Sequence, residues 1–302
     1  MKVLICDAVA EDAVKMMQNA GHEVTVKTGM TPEELVAEVP GYEVAIVRSA
    51  TKLRQPAIDA GTSLKLIMRG GVGIDNIDAD YAREKGILVW NTPAASSAGV
   101  AELAIGLMFA VSRHICRADV SMKKGKWEKK LFKGNELGGK VLGIIGLGRI
   151  GTEVAKRAKG LGMSVIGFDP LVEECDYARM VTFDRLLADS DIITLHLPHT
   201  KDTHHIISDP EFGKMKNDVI LINVARGGVV NEEALVRALE SGKVGRAAVD
   251  VFEVEPMDVK NALKKFDNVI LTPHIGASSA ESQSRIGYEL VDKLERFAKG
   301  NY

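Results

Sequence analysis

Lys140 to Gly151 of the 302-residue chain reads KVLGIIGLGRIG, an apolar run that leads into a glycine-rich turn. Val141–Ile145 has the uninterrupted apolar character of a buried parallel strand, and the residues after the turn carry apolar side chains at helical spacing. Gly146 permits the tight turn, Gly148 allows a pyrophosphate to approach, and Gly151 lets the helix pack closely. The stretch therefore predicts a strand, turn and helix that bind dinucleotide phosphates at the helix N-terminus. A purely structural βαβ unit is the alternative.

An acidic residue follows the second strand of the predicted dinucleotide-binding unit. Asp169 comes directly after the predicted strand Ser164–Phe168, about 20 residues beyond the glycines, where a carboxylate can accept hydrogen bonds from ribose hydroxyls. The same carboxylate would repel a 2′-phosphate, and Pro170 rather than an arginine follows it. The sequence therefore favours NAD over NADP.

Length and composition indicate a two-domain globular protein. A chain of 302 residues is long for one core, while a hydrophobic fraction of 46% and a charged fraction of 26% are ordinary. The net charge of −2 argues against nucleic-acid or membrane-surface binding. Three distant cysteines without a CxxC pair favour a reduced, cytoplasmic setting, and neither a signal peptide nor a long apolar span is recognisable.

Apolar, β-rich runs alternate with amphipathic stretches in two blocks, which predicts two parallel sheets with helices on both faces. The first block covers about the first 93 residues and the second runs from Lys140 to about Gly276. Between them we predict one long helix over 95–122 and a basic, turn-rich arm over 123–139. The final helix, Ala280–Lys299, has no strand after it, and periodicity does not decide which block it joins.

Polar residues follow several strands of the second block, where ligands bind in open α/β sheets. Arg226, Asp250, Glu255 and His274 stand at or just beyond such strand ends, and Leu197 and Pro198 follow another. Each has an ordinary structural interpretation, as a surface ion pair, a turn acid or a structural histidine. Together they match hydride transfer from an alcohol carbon: histidine accepts the proton, arginine holds an oxygen anion, and a carboxylate orients the histidine.

The first block carries a second glycine-rich segment, MRGGVGIDN at Met68–Asn76. Gly70, Gly71 and Gly73 follow a strand, so consecutive amides there can form a nest for a carboxylate. The alternative is a structural turn with Asp75 as the N-cap of the next helix. Arg48 and Arg69 also follow strands and are candidates for binding an anionic group.

Four histidines, His196, His199, His204 and His205, are close in sequence, but no cysteine or carboxylate cluster completes a tetrahedral metal site. We therefore predict no metal.

Phrases spread over nearly the whole chain resemble the D-isomer-specific 2-hydroxyacid dehydrogenases. They are VRSATKL, RGGVGIDNID, GKWEKKLFKGNEL, LGIIGLGRIGTEVA, INVARGGVV, AVDVFEVEP and TPHIGAS. The resemblance implies a discontinuous, flavodoxin-like substrate domain over 1–93 plus 277–302, with a Rossmann NAD-binding domain inserted over 94–276. It also implies a homodimer formed through 95–122 and the arm 123–139.

The resemblance assigns roles residue by residue. The implied catalytic residues are Arg226, Glu255 and His274. The implied NAD contacts are Val72, Gly146, Gly148, Arg149, Ile150, Gly151, Asp169, Leu197, Pro198, Val224, Ala225, Asp250, His274, Gly276 and Ala277. The implied substrate contacts are Arg48, Ser49, Arg69, Gly70, Gly71, Val72, Arg226 and His274. Val72 stands where relatives often have threonine, so a hydroxyl contact is lost there.

Within the family, the phrases are most similar to members that oxidise a phosphorylated 2-hydroxy acid. A hydroxypyruvate or glyoxylate reductase is the alternative with the same machinery, and a dinucleotide-sensing transcriptional co-repressor is the alternative from another class. Many members carry a further regulatory domain, whereas this sequence ends at Tyr302, just past the last core helix. If the chain is complete, we expect no serine feedback through such a domain.

Overall fold

The computed structural model describes residues 1–301. Contacts divide the chain into two compact units. The first consists of Met1–Ser97 together with the chain from Ala277 onward, and the second is Ala98–Gly276.

The elements of the N-terminal part alternate between strand and helix. In chain order they are β1 (Lys2–Ile5), α1 (Glu11–Asn19), β2 (Glu23–Val26), α2 (Pro32–Glu38), β3 (Val44–Val47), α3 (Gln55–Ala60), β4 (Leu66–Arg69), α4 (Ala79–Glu84) and β5 (Leu88–Asn91).

The rest of the chain begins with two helices and a short 3₁₀ turn at Lys129–Phe132. The elements are α5 (Ser97–Ser112), α6 (Ile115–Lys123), β6 (Val141–Ile145), α7 (Arg149–Gly160), β7 (Ser164–Phe168), β8 (Arg179–Met180), α8 (Phe183–Asp189), β9 (Ile192–Leu195), α9 (Asp209–Lys214), β10 (Val219–Asn223), α10 (Glu232–Glu240), β11 (Val244–Val249), β12 (Val269–Leu271) and α11 (Ala280–Ala298). A second 3₁₀ turn, Ala262–Lys265, precedes β12.

The first unit is built on a five-stranded parallel sheet in the order β2-β1-β3-β4-β5. This is the order of flavodoxin-like folds. The final helix α11 belongs to this unit, and its Ile286, Leu290 and Leu294 are buried against β1 and α1 residues such as Val3 and Met17. Apolar burial of this kind, rather than sequence period, decides which sheet the last helix joins.

The second unit is built on a seven-stranded parallel sheet in the order β12-β11-β10-β9-β6-β7-β8. The chain leaves β6 in one direction to form β7 and returns on its other side to form β9, so the strand order reverses beside β6. Ligands bind outside the carboxyl ends of strands at such a reversal. The predicted class, two doubly wound parallel sheets, is confirmed.

The prediction of one helix over 95–122 is wrong. Helices α5 and α6 meet at a bend of 62°. His114 lies between them in the left-handed region, with φ of 54°. Among residues 1–301, no single helix is long and apolar enough to cross a membrane; only this bent pair, taken together, meets the length and composition criterion.

The structure differs from the sequence interpretation at two smaller points. Helix α4 begins at Ala79 with Asp78 in the N-cap position, so Asp75 does not cap it. The carboxylate of Asp78 instead accepts hydrogen bonds from Arg54 and from the amide of Gln55. Strand β8 was not predicted, because a strand of two residues is too short to show an alternation of apolar and polar side chains.

Candidate active site

The glycine turn lies between β6 and α7, at the carboxyl edge of the second unit's sheet. Gly146 has φ of 92°, and a Cβ there would lie 2.5 Å from the carbonyl oxygen of His196. A Cβ on Gly151 would lie 2.0 Å from the oxygen of Gly146. Gly148 differs, because a Cβ there would meet nothing within 4 Å. Two of the glycines therefore serve packing, and the third leaves open space beside the turn.

This turn fits the diphosphate of a dinucleotide. Gly148 is the N-cap of α7 and offers no side-chain acceptor to the helix. The first amides of Arg149, Ile150 and Gly151 therefore have no side-chain cap, and the helix dipole favours an anion there. The residues present match the group that the glycine spacing predicted.

Asp169 follows β7 and faces the same turn. Its Oδ2 accepts a hydrogen bond of 2.8 Å from the amide of Leu147, and its Oδ1 accepts one of 2.9 Å from the amide of Leu171. A carboxylate has about four acceptor positions, so two remain for ribose hydroxyls. The negative charge beside the turn disfavours a 2′-phosphate.

Leu197 and Pro198 follow β9, and the preceding His196 lies under the glycine turn. The Nε2 atom of His196 is 2.9 Å from Oγ1 of Thr194, and its Nδ1 is buried without a partner in residues 1–301. Burial lowers the pKa of His196 to about 3, so the ring is neutral at physiological pH. Its backbone oxygen packs against Gly146 of the turn.

Arg226 follows β10 after the buried Val224 and Ala225. Its Nη1 donates to the carbonyl oxygen of Ala225 at 2.7 Å, and the segment is fixed by Asn223, whose Oδ1 accepts from the amide of Ala225. The half-buried guanidinium lies close enough to Glu255 for its positive charge to favour the ionised carboxylate.

His274 and Glu255 form a hydrogen-bonded pair, with Nδ1 of His274 and Oε2 of Glu255 2.8 Å apart. Burial acts to raise the pKa of Glu255, but the hydrogen bond and charge of His274, the amide of Phe252 and the charge of Arg226 together hold it below its ordinary value. Glu255 is therefore ionised. An ionised acceptor at Nδ1 leaves Nε2 of the neutral imidazole as the free basic nitrogen.

Asp250 organises the loop that carries His274. Its Oδ1 accepts from Oγ1 of Thr272 and from the amide of Ile275, and its Oδ2 accepts from the amide of Gly276. Its backbone oxygen accepts from the amide of His274, which has φ of 52°. Burial raises the pKa of Asp250, and these donors oppose that effect. The loop holds His274 in a backbone conformation that residues other than glycine rarely adopt.

In the first unit, the predicted nest at Gly70, Gly71 and Gly73 follows β4, but the amides of Gly70 and Gly71 already donate to the carbonyl oxygens of Val47 and Arg69 at 2.8 and 3.0 Å. Gly71 has φ of 147°, and a Cβ there would lie 1.6 Å from Nη1 of Arg69, so the buried guanidinium lies directly against the turn. Val72 is half-buried, and its carbonyl oxygen accepts a hydrogen bond from Asn91.

Arg48 and the exposed Ser49 follow β3. Nη1 of Arg48 donates to Oε1 of Gln283 and to the carbonyl oxygen of Ala8, while its Nε is buried without a partner in the described chain. Gln283 in turn donates to the carbonyl oxygen of Ala277, one of the predicted cofactor positions. Burial lowers the pKa of Arg48, although the guanidinium remains charged.

Sequence reasoning missed the residues that hold this segment. Asp7 accepts from the amides of Arg48 and Thr51, and Nδ2 of Asn76 donates to the carbonyl oxygens of the same two residues. Asp7 had a signal, because it follows β1 at the same edge of the sheet. Gln283 had none, since it is 235 residues from Arg48.

The histidine cluster after β9 does not form a metal centre. Nε2 of His199 and Nδ1 of His204 are 2.9 Å apart, His204 stacks on His205, and His205 pairs with Glu253. Residues 1–301 contain no group of three or more His, Cys, Asp or Glu side chains placed to hold a metal ion.

Comparison with known proteins shows which family shares this arrangement. Residues 105–276 match the model of the D-isomer specific 2-hydroxyacid dehydrogenase NAD binding domain. The chain is 50% identical over 304 residues to a D-3-phosphoglycerate dehydrogenase from Archaeoglobus fulgidus, covering 99% of this chain and 58% of that protein. It is also 50% identical over 296 residues to a hydroxypyruvate reductase from Thermotoga maritima, covering 97% of each. The chain thus spans little more than half the length of the A. fulgidus relative.

Solved structures agree with these relatives. A protein from Thermus thermophilus superposes with a TM-score of 0.93 at 33% identity, covering 99% of this chain and 97% of that one. A D-lactate dehydrogenase from Aquifex aeolicus, complexed with NAD and lactic acid, superposes with a TM-score of 0.87 at 34% identity, covering 99% and 96%.

Proposed function

The chain belongs to the D-isomer specific 2-hydroxyacid dehydrogenase family, and we propose that it oxidises D-3-phosphoglycerate to 3-phosphohydroxypyruvate with NAD, the first step of phosphorylated serine biosynthesis. The observation that carries the proposal is the Glu255–His274 pair beside Arg226. D-3-phosphoglycerate dehydrogenases from A. fulgidus and Methanocaldococcus jannaschii, 50% and 46% identical, support the choice of substrate.

His274 is the general base of the oxidation. Glu255 accepts at Nδ1, so the neutral ring offers Nε2 to the substrate hydroxyl and takes its proton. The bound NAD supplies the hydride acceptor. The imidazolium that forms at His274 is stabilised by the adjacent Glu255 carboxylate. In the reverse direction the same imidazolium donates its proton to the carbonyl oxygen.

Arg226 and the nest at Gly70–Gly73 are the proposed anchors for the carboxylate and the reacting oxygen. Arginine suits this role because its planar fork donates two parallel hydrogen bonds to a carboxylate. The amides of Gly70 and Gly71 donate to the carbonyl oxygens of Val47 and Arg69, so the nest would hold an anion through the amides of Val72 and Gly73.

Arg48 and Arg69 are the proposed ligands of the substrate phosphate. Both guanidiniums belong to the first unit, and Arg48 is held by Gln283 and by its segment's contacts to Asp7. A guanidinium that is already fixed loses little side-chain entropy when it binds a phosphate.

The proposal is tested with Arg48→Gln. The variant should lose about tenfold or more in kcat/KM for D-3-phosphoglycerate and far less for D-glycerate, because only the former presents a phosphate. Arg54→Gln is the matched control, since Arg54 is an exposed arginine of the same unit paired with Asp78. Equal losses on both acids would contradict a phosphate role for Arg48.

Reduction of hydroxypyruvate is the second candidate. The T. maritima hydroxypyruvate reductase matches at 50% identity over nearly its whole length. This identity equals that of the A. fulgidus D-3-phosphoglycerate dehydrogenase, so it favours hydroxypyruvate reduction to the same degree. The same base, arginine and cofactor would serve it, without the need for a phosphate site.

We also propose a cytoplasmic homodimer that forms through α5, α6 and the arm. Large apolar side chains are exposed there, with Ile115 at 52%, Met122 at 53%, Trp127 at 81% and Leu131 at 60%. Exposed apolar surface of this extent favours a subunit contact. Light scattering of the unaltered chain and of Trp127→Ser tests it: a monomeric parent would contradict the dimer, and an unchanged dimer mass in the variant would contradict this interface.

A further inference from the structure

A cavity of about 200 Å³ lies at the amino ends of strands in the second unit, at the opposite edge of the sheet from the glycine turn. It is bordered by the starts of β9 and β10, by Ser112 at the end of α5 and by Asn135 of the arm. All its lining residues belong to Ala98–Gly276, and none is a candidate active-site residue.

A buried cation with weak partners lines this cavity. Arg246 of β11 is 7% exposed. Its Nη1 is 3.4 Å from the carbonyl oxygen of Ser112, and its Nη2 is 3.6 Å from Oδ2 of Asp218, whose side chain is 69% exposed. Hydrogen bonds of a charged group are ordinarily about 2.7–2.9 Å long, and a guanidinium has five N–H donors. Most of the hydrogen-bonding capacity of Arg246 is therefore unused.

A buried hydroxyl on the same wall also has no partner. Ser112 is fully buried, and its Oγ makes no hydrogen bond within residues 1–301. Buried polar groups are nearly always hydrogen-bonded, and leaving one without a partner destabilises the fold. Arg246 and Ser112, two side chains that line the same cavity, therefore both have hydrogen-bond donors that a bound acceptor could satisfy.

The cations and carboxylates that line the cavity are equal in number: Lys140, Lys216 and Arg246 against Glu136, Asp191 and Asp218. Asp191 on the wall already accepts from Nζ of Lys216 at 2.9 Å and from the amide of Val141 at 2.8 Å. Burial and the charges of Arg246 and Arg117 lower the pKa of the neighbouring His114. A positive potential that disfavours a protonated imidazole favours an anion.

We propose that this cavity is a binding site for a small oxyanion, a carboxylate or a phosphate, held by the guanidinium of Arg246 and the hydroxyl of Ser112. The guanidinium fork matches the geometry of both groups. A cavity of about 150 Å³ holds benzene, so this one accommodates a single phosphate or a short carboxylic acid. The bound anion would tie the end of α5 to β11, in a region that carries no part of the proposed chemistry.

The test uses the full-length protein with inorganic phosphate and with acetate as probes, each against sodium chloride at equal ionic strength. Calorimetry and the midpoint of thermal unfolding report binding. We expect saturable binding whose dissociation constant rises about tenfold in Arg246→Gln and about threefold in Ser112→Ala, the sizes expected for losing a charge-assisted and a neutral hydrogen bond. Preference for one probe identifies the ligand as a phosphate or a carboxylic acid.

Two controls locate the binding. Because the candidate active site is itself proposed to hold carboxylate and phosphate groups, the Arg246 and Ser112 substitutions are also made in chains carrying Arg226→Gln and Arg48→Gln, where they should still weaken the remaining binding. Arg185→Gln, an exposed arginine of α8 paired with Asp189, should leave binding unchanged. If Arg246→Gln does not fold, Arg246→Lys keeps the charge but removes the fork, and it should still weaken binding. The proposal is overturned if neither probe binds saturably, or if Ser112→Ala and the Arg246 variant bind as tightly as the parent while Arg226→Gln does not.

Discussion

Nδ1 of His274 lies 2.8 Å from Oε2 of Glu255, although the two residues follow different strands, β12 and β11. The loop after β12 is fixed by Asp250, which accepts from Thr272 and from the amides of Ile275 and Gly276. The pair is therefore held from both sides before any ligand binds, which is the preorganisation that acid–base catalysis requires.

Glu255→Gln should lower kcat by about 100-fold, because an amide neither stabilises the imidazolium nor fixes the tautomer with its proton on Nδ1. The dissociation constant for NAD should change little, because Glu255 contacts His274 rather than the glycine turn. Steady-state kinetics and NAD titration measure the two effects. Asp267→Asn, an exposed acid before β12, is the control, and an unaltered kcat in Glu255→Gln would separate Glu255 from the base.

Alanine substitution at two glycines of the same turn should affect different properties, NAD binding at Gly148 and stability at Gly151. Gly148→Ala meets no atom within 4 Å, so the fold should keep its melting temperature while the dissociation constant for NAD rises about tenfold. Gly151→Ala brings a Cβ within 2.0 Å of the Gly146 oxygen and should cost about 1–3 kcal/mol of stability.

Calorimetry with NAD and thermal unfolding separate the two effects. Gly160→Ala, at the end of α7 with no neighbour within 4 Å, is the control and should change neither binding nor folding by much. Unchanged NAD affinity in Gly148→Ala would mean that the diphosphate does not approach this turn.

Asp169→Ser should narrow the preference for NAD over NADP by about tenfold or more, because the carboxylate that repels a 2′-phosphate is removed. The ratio of kcat/KM for the two cofactors measures the change. Asp176→Ser alters an exposed acid of the same region and should leave the ratio intact. A strict NAD preference that survives Asp169→Ser would show that another group selects the cofactor.

His196 gives a prediction for stability against pH. Burial lowers its pKa to about 3 from 6.5, so below pH 6.5 the unfolded chain binds a proton that the folded chain does not. Stability should therefore fall as the pH falls through this window, by up to about 1.4 kcal/mol per pH unit. His196→Gln should make the dependence shallower in urea unfolding between about pH 7 and about pH 5. His204→Gln, an exposed histidine, should not, and equal slopes for parent and His196→Gln would refute the assignment.

Sequence alone predicted the sheets because their central strands, such as β3, β4, β9 and β10, are buried on both faces and read as continuous apolar runs. It did not predict the bend between α5 and α6, because neither proline nor glycine marks it. The backbone turns instead at His114, which has a left-handed φ of 54°. No neighbouring residue type predicts that conformation.

The candidate site divides in the same way. His274, Glu255 and Arg226 stand where strand ends predict ligands, so their positions followed from the chain order of the strands. Asp250 also follows a strand, yet its carboxylate accepts hydrogen bonds from loop amides. Sequence alone does not distinguish an acid that binds a ligand after a strand from one that holds a loop. The hydrogen bond between Gln283 and Arg48 joins segments that are distant in sequence, so no local sequence pattern predicts it.

The most direct measurement is the reduction of NAD with D-3-phosphoglycerate beside D-glycerate and D-lactate, with hydroxypyruvate and glyoxylate as reverse substrates. The account predicts a kcat/KM preference of about 100-fold for the phosphorylated acid, which corresponds to about 2.7 kcal/mol of transition-state discrimination. Equal or faster turnover of the unphosphorylated acids would contradict it and would assign the chain to the hydroxypyruvate and glyoxylate reductases of the family.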